Sequence, residues 1–177
     1  MISIIKSMKK QFIASSYLKK ISITLFIITL IIITFFKFGY KKYLIISNQE
    51  TKEIYMDIRV EKGDIVQYSW IHSFEHIPWT EDFIIQVNNS LMLNEITVAG
   101  YGAGIPENKG KVTIENGIII MREINQNFNE INWINSNTAL SFISINGNKI
   151  IKGKDLPHHE PLNLIVKEKF TIWTRFH

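Results

Sequence analysis

The chain has 177 residues, of which 20 are basic and 16 acidic, with a net charge of +4, 46% hydrophobic residues and no cysteine. That length accommodates one domain with a core of useful size plus an accessory segment, and the lack of cysteine excludes disulfides, thiolate metal sites and cysteine nucleophiles. The charge is unevenly divided: residues 1–42 hold eight lysines and no acid, and residues 43–177 hold twelve basic residues against all sixteen acids, a net of −4, so the basic character belongs to the N-terminal arm and the remainder has no nucleic-acid footprint.

Residues 21–36 are all apolar, Ser or Thr, preceded by Lys19 and Lys20 and followed by Lys37, Lys41 and Lys42. At about 1.5 Å per residue this run is a little short for a bilayer core. Extending it over residues 17–40, with the nearest lysines snorkelling and Tyr17 and Tyr40 at the interfaces, makes the span adequate. The long preceding arm and the lack of an Ala-x-Ala-like cleavage site after Phe36 favour an uncleaved signal anchor over a cleaved signal peptide. Five lysines precede the span and three follow it, so the positive-inside rule sets the N-terminus in the cytoplasm. The expected organisation is a cytoplasmic basic arm over 1–20, a transmembrane signal anchor over 21–40 and an extracytoplasmic β domain over 43–177, in a single-pass protein of the cell membrane.

Beyond the anchor the pattern is that of short strands. Lysine outnumbers arginine 17 to 3 and isoleucine is abundant, which reads as the coding bias of an AT-rich bacterial genome and inflates any strand prediction made from isoleucine alone. Residues 43–47 predict a first strand. Residues 52–60 alternate, with Ile54, Met56, Ile58 and Val60 on one face, and Glu61-Lys62-Gly63 reads as a hairpin loop into the next strand. Ile58 is then expected opposite Val66, Met56 opposite Tyr68 and Ile54 opposite Trp70. A second hairpin follows around residues 72–81, with Trp70 opposite Phe83, Tyr68 opposite Ile85, Val66 opposite Val87 and His72 opposite Glu81. The result is a three-strand meander with Lys52, His72 and Glu81 in a row at its end.

Residues 91–99 predict a further strand before the glycine-rich run over residues 100–106. Asn116-Gly117 and Asn146-Gly147 are two-residue hairpin signals. The first sets Ile114 opposite Ile119 and Val112 opposite Met121, and the second sets Ile143 opposite Ile150. Residues 128–134 are polar enough for an edge strand, and residues 162–166 and 170–173 supply the last strand or strands. Eight to ten short strands with closely spaced turns predict an all-β fold, an antiparallel sandwich or partly closed barrel.

The candidate chemistry is sparse. A carboxylate opposite His72 would orient the ring and favour its charged form, as acid–base work requires; the same pair also serves as an ion pair that fixes the hairpin register. Ser73 follows His72 on a strand and points to the other face, so the two make no dyad unless the strand breaks. His72, His76 and Glu81, or His158, His159 and Glu160, are conceivable metal ligands, but neither spacing matches a strong zinc signature, and no metal or cofactor is indicated. The glycines before Pro106 lack a following helix start, so a bulge or bend is the expectation there and not a phosphate loop.

Two motifs carry a resemblance. The first is a His-Ser pair, a Pro five residues after the Ser and a Glu three residues later, at His72, Ser73, Pro78 and Glu81. The second is a Gly-Ala-Gly-Leu-Pro-like run, at Gly102, Ala103, Gly104 and Pro106, with Ile105 in the Leu place. Over residues 52–170 the sequence resembles the domain of unknown function family 1850, small proteins associated with TAXI-type TRAP transporters (tripartite ATP-independent periplasmic carriers). Trp79 departs from the small branched residue expected after the Pro. The resemblance implies an extracytoplasmic accessory or binding module for a transporter of organic solutes, with the transporter's membrane subunits or solute receptor as partner; it assigns no activity to any residue. The alternatives are a hydrolase-like enzyme using His72 and Glu81, or a general envelope interaction domain pairing through exposed edge strands. On the leading expectation, His72 and Glu81 organise a binding loop centred on Pro78 and Trp79.

Overall fold

The computed structural model describes residues 2–73, 75–100 and 109–174. One helix, α1 (Ile2–Phe35), is followed by eleven strands: β1 (Phe36–Asn48), β2 (Ile54–Val60), β3 (Ile65–Ile71), β4 (Pro78–Ile85), β5 (Leu91–Val98), β6 (Lys111–Glu115), β7 (Ile118–Phe128), β8 (Glu130–Ile134), β9 (Leu140–Ile145), β10 (Asn148–Ile151) and β11 (Pro161–Thr174). The chain divides into two compact units, one of residues 1–39 and 170–177, the other of residues 40–169.

In the first unit, residues 17–35 of α1 are long and apolar enough to cross a membrane, about 28 Å at the helical rise. The hydroxyls of Thr24, Thr29 and Thr34 bond back to the carbonyls of Lys20, Leu25 and Leu30 at 3.0, 2.9 and 2.7 Å, so they present little unpaired polarity to an apolar surrounding. The helix stops at Phe35, and residues 36–40, expected as the end of the span, are strand. Their alternation Phe36, Lys37, Phe38, Gly39, Tyr40 has period two, and Gly39 is a poor helix former. Gly39 lies against the Trp173 ring, which a Cβ would approach to 3.4 Å.

The second unit is a β-sandwich. A four-stranded sheet has the order β2-β1-β11-β8, and a seven-stranded sheet the order β10-β9-β3-β4-β5-β7-β6. Both sheets feed one core: Leu44, Ile46, Leu162 and Leu164 come from the first, and Val66, Ile85, Leu91, Met121 and Ile143 from the second, all nearly or fully buried. The Asn116-Gly117 hairpin forms in the expected register, Val112 opposite Met121 and Ile114 opposite Ile119. Both turn residues have positive φ, 53° and 80°, the conformation this dipeptide tolerates. The Asn146-Gly147 hairpin also forms, but a register shift sets Ile143 opposite Ile151 and not Ile150. β8 is an edge strand, as its polarity predicts.

Two expectations about pairing are overturned. β2 does not pair with β3: it pairs with β1, Leu44 opposite Ile58 and Ile46 opposite Met56, while β3 lies between β9 and β4 in the other sheet. The Glu61-Lys62-Gly63 connection therefore crosses between sheets. Asp64 holds the crossing, accepting from the Glu61 amide at 2.7 Å and from the Asn146 side chain at 2.9 Å. An alternating strand buries the same face whether its neighbour lies beside it or across the sandwich, so hydrophobic period alone does not choose between them. The β3–β4 register is also shifted by four residues, with Val66 opposite Phe83, Tyr68 opposite Glu81 and Trp70 opposite Trp79. An even slip keeps every inward residue inward. The tight turn decides it: the His76 amide donates to the His72 carbonyl and the His72 amide to the Ile77 carbonyl, both at 2.9 Å, with His76 at a φ of 57°.

Candidate cleft around Glu81

The inward face of β4 presents Trp79, Glu81, Phe83 and Ile85, three buried apolar side chains and one carboxylate that is only partly buried. Trp79 and Glu81 are two residues apart on one strand and so share that face. The Trp79 indole N–H donates to Glu81 Oε1 at 3.2 Å. The His72 ring stacks on Trp79, with centroids 5.8 Å apart and planes at 12°, and the Trp70 ring meets Trp79 edge-on at 5.7 Å. His72 Nδ1 accepts the Glu75 amide at 3.1 Å, so a neutral His72 carries its proton on Nε2 and presents a donor there.

Across the ladder from Glu81 stands Tyr68, with its ring in edge contact with Phe83 and Trp133 at 6.4 and 5.4 Å. Its hydroxyl is buried and has no hydrogen-bond partner among the described residues. Burial and, second to it, the Glu81 charge push the Tyr68 phenol well above its ordinary value. Burial also raises the Glu81 carboxyl, an effect that the Trp79 hydrogen bond and the Lys109 charge partly offset. Lys109 Nζ itself donates to Gln126 Oε1 at 3.0 Å.

Glu81 lines three adjoining cavities. One of about 290 Å³ includes Phe83, Lys109, Gln126 and Phe128. A second of about 290 Å³ includes Trp70, His72, Ser73 and Trp79. The third, about 250 Å³, includes Tyr68, Trp70, Asn132 and Trp133. The cleft thus follows the β8 edge of the smaller sheet, where Ile131, Asn132 and Trp133 meet the inner face of the larger one.

His72 and Glu81 line one cleft, but they are not cross-strand partners, and Trp79 stands between them. Lys52 does not join them; its Nζ donates to the Gln49 carbonyl at 2.6 Å. Ser73 is exposed in the turn beside His72, and Pro78 begins β4 opposite Ile71. Gly102, Ala103, Gly104 and Pro106 lie outside the described residues. His158 and His159 stack on each other at 3.6 Å, His158 Nδ1 accepts the Asn137 amide, and no group of three or more potential metal ligands occurs among the described residues. Sequence reasoning overlooked Tyr68, Asn132, Trp133 and Lys109 as site residues. The inward period of the β3 residues signals Tyr68; Asn132 and Trp133 come from β8 and Lys109 from the segment before β6, whose neighbours only the topology supplies.

Residues 66–151 match the family model for a domain of unknown function, DUF1850. The DUF1850 match runs from β3 to β10 and so takes in the strands of the seven-stranded sheet together with β8. It includes Tyr68, Trp79, Glu81 and both sequence motifs, while β1, β2 and β11 lie outside it. No curated protein and no solved structure matches the chain.

Proposed function

We propose that the chain is a membrane-anchored extracytoplasmic binding module whose site is the cleft around Glu81. The observation that carries this reading is a carboxylate on the inward face of a sandwich, bounded by three cavities and set across the ladder from a buried tyrosine whose hydroxyl has no partner among the described residues. Concave, largely aromatic sites with a few convergent polar groups are where small ligands bind. Anchoring is supported by the apolar stretch of α1. Phe36, Phe38, Phe170 and Ile172, exposed in the same compact unit, supply the apolar and aromatic character expected at a membrane–water interface. The excess of lysines before the span supports an N-terminus in the cytoplasm.

The DUF1850 resemblance extends the reading to an accessory of a TAXI-type TRAP transporter for organic solutes, with the cleft handling the solute or a segment of the carrier. A direct test is solute uptake by cells carrying Glu81→Gln at matched protein level, together with membrane fractionation and protease accessibility of the full chain. Loss of uptake with normal abundance supports the transporter role. Unchanged uptake removes that role, and recovery of the full chain in the soluble fraction removes the anchor.

A further inference from the structure

We propose that the Glu81 cleft takes a small organic ammonium, a protonated amine carrying an aromatic or apolar body. The inference rests on the cleft being a binding site and names the chemistry of what enters it.

Glu81 supplies the charge. An ionised carboxylate accepts about four hydrogen bonds, and among the described residues the Trp79 indole N–H, a neutral donor, is the side chain that donates to it. Lys109, the nearest cation in the lining, bonds to Gln126 and acts on Glu81 only through space. A carboxylate drawn out of water gains most from a cation that arrives with several N–H donors. The walls suit the same guest: Trp70, Trp79, Trp133 and Tyr68 line the cavities that Glu81 borders, and aromatic faces attract ammonium groups through their quadrupoles. The Tyr68 hydroxyl, buried and without a partner among the described residues, is placed to donate to an oxygen on the ligand body. The cavities, at 250 to 290 Å³, fit a guest of single-ring size. A divalent metal ion is a poorer fit, because the described residues offer no group of three potential ligands.

Three probes of nearly equal shape separate charge from shape: phenethylamine, phenylacetate and 2-phenylethanol, titrated into the full chain in detergent at neutral pH and followed by tryptophan fluorescence. Phenethylamine is expected to bind at least about tenfold tighter than either of the others. Glu81→Gln is expected to abolish that preference. Lys109→Gln, which removes the competing cation, is expected to strengthen phenethylamine binding. If phenylacetate or 2-phenylethanol binds as well as the amine, or if Lys109→Gln weakens the amine, the ammonium inference falls while the binding cleft stands. If none of the three binds to wild type, the cleft falls with it.

Discussion

Tyr68 and Glu81 stand directly opposite each other on β3 and β4, both bordering the same cavity between the sheets. Among the described residues the phenol lacks a partner, and the carboxylate has one neutral side-chain donor. Their proximity raises the phenol pKa further, because ionising it beside the carboxylate would bury two like charges. A stable sandwich does not need this pair, since apolar residues of similar volume would fill the space without the desolvation cost.

Glu81 should therefore lower stability at neutral pH. Its carboxyl is raised by burial, so the folded state binds a proton more tightly than the unfolded chain. The corresponding stability is fully present below the unfolded pKa and is lost as pH rises through the folded one. Asp82 is raised as well, chiefly by burial, and adds the same sign. Urea unfolding of wild type and Glu81→Gln across pH 4 to 8 isolates the Glu81 share. The variant is expected to be the more stable at pH 7, with the difference shrinking towards pH 4. A variant less stable than wild type at pH 7 would refute the assignment.

The indole N–H of Trp79 is the group that makes a charged Glu81 tolerable in this position. Trp79→Phe keeps an aromatic ring against His72 and Trp70 but removes the donor. The expected cost at pH 7 is about 1.5–3 kcal/mol, the range for a hydrogen bond to a charged group, and nearer ~1 kcal/mol when Glu81 is already Gln. A double-mutant cycle from urea midpoints measures the coupling, and a coupling of zero would mean that the Glu81 charge adds nothing to the hydrogen bond.

Much of this site was legible in the sequence, and the reason for each failure is physical. Alternation marks Glu81, Phe83 and Ile85 as one face, and the structure keeps them together, but Val87, expected as the next member of that face, lies exposed beyond the strand, and Trp79, expected in the loop, joins the face instead. The Asn116-Gly117 register was legible because a two-residue turn leaves the strands no freedom. The β3–β4 register was not, because a slip of four residues exchanges one set of inward partners for another at no cost in burial. The left-handed His76 and the Trp70–Trp79 contact settle it, and neither leaves a compositional signal. The pairing of β2 failed for a related reason: Met56 and Ile58 pack against the core from the smaller sheet as readily as they would from the larger one.

Asn135 is a residue that no pattern singles out, yet it is fully buried. Its side-chain amide donates to the carbonyls of Gly153 at 3.0 Å and Pro157 at 2.9 Å, fastening the loop that leads into β11. Asn135→Ala takes the side-chain donor from the Pro157 carbonyl and leaves the Gly153 carbonyl with the Leu156 amide at 3.2 Å, and is expected to cost about 1–3 kcal/mol. Asn135→Asp should be worse, because it turns an acceptor and a charge towards two acceptors. The same loop leaves no room at Gly153, where a Cβ would come within 2.2 Å of the Leu140 carbonyl oxygen. Thermal melts of Asn135→Ala, Asn135→Asp and Gly153→Ala should all fall well below wild type, and a wild-type melt for any one would contradict that contact.

Lys42 reads in the sequence as one of the charges flanking the membrane span, but the fold gives it a second task. Its ammonium, with the side chain only 13% exposed, bonds to the Val87 carbonyl at 2.7 Å, to the Asn89 side chain and to Glu168 at 3.1 Å. It thereby ties β1 and β11 of the smaller sheet to the β4–β5 turn of the larger one. Glu168 is 44% exposed, so that arm is screened by solvent and contributes little, about 0–1 kcal/mol. The bond to Asn89 is better shielded. Lys42→Ala is accordingly expected to cost about 1–3 kcal/mol, Glu168→Gln distinctly less, and Lys62→Ala on the exposed crossing no more than about 0.5 kcal/mol. Urea midpoints of the three variants give the ranking, and equal losses for Lys42→Ala and Lys62→Ala would show that Lys42 is only a surface charge. Raising the salt concentration should narrow the gap between wild type and Glu168→Gln but leave most of the gap to Lys42→Ala, because screening acts on the exposed ion pair far more than on hydrogen bonds to the neutral Val87 carbonyl and Asn89 side chain.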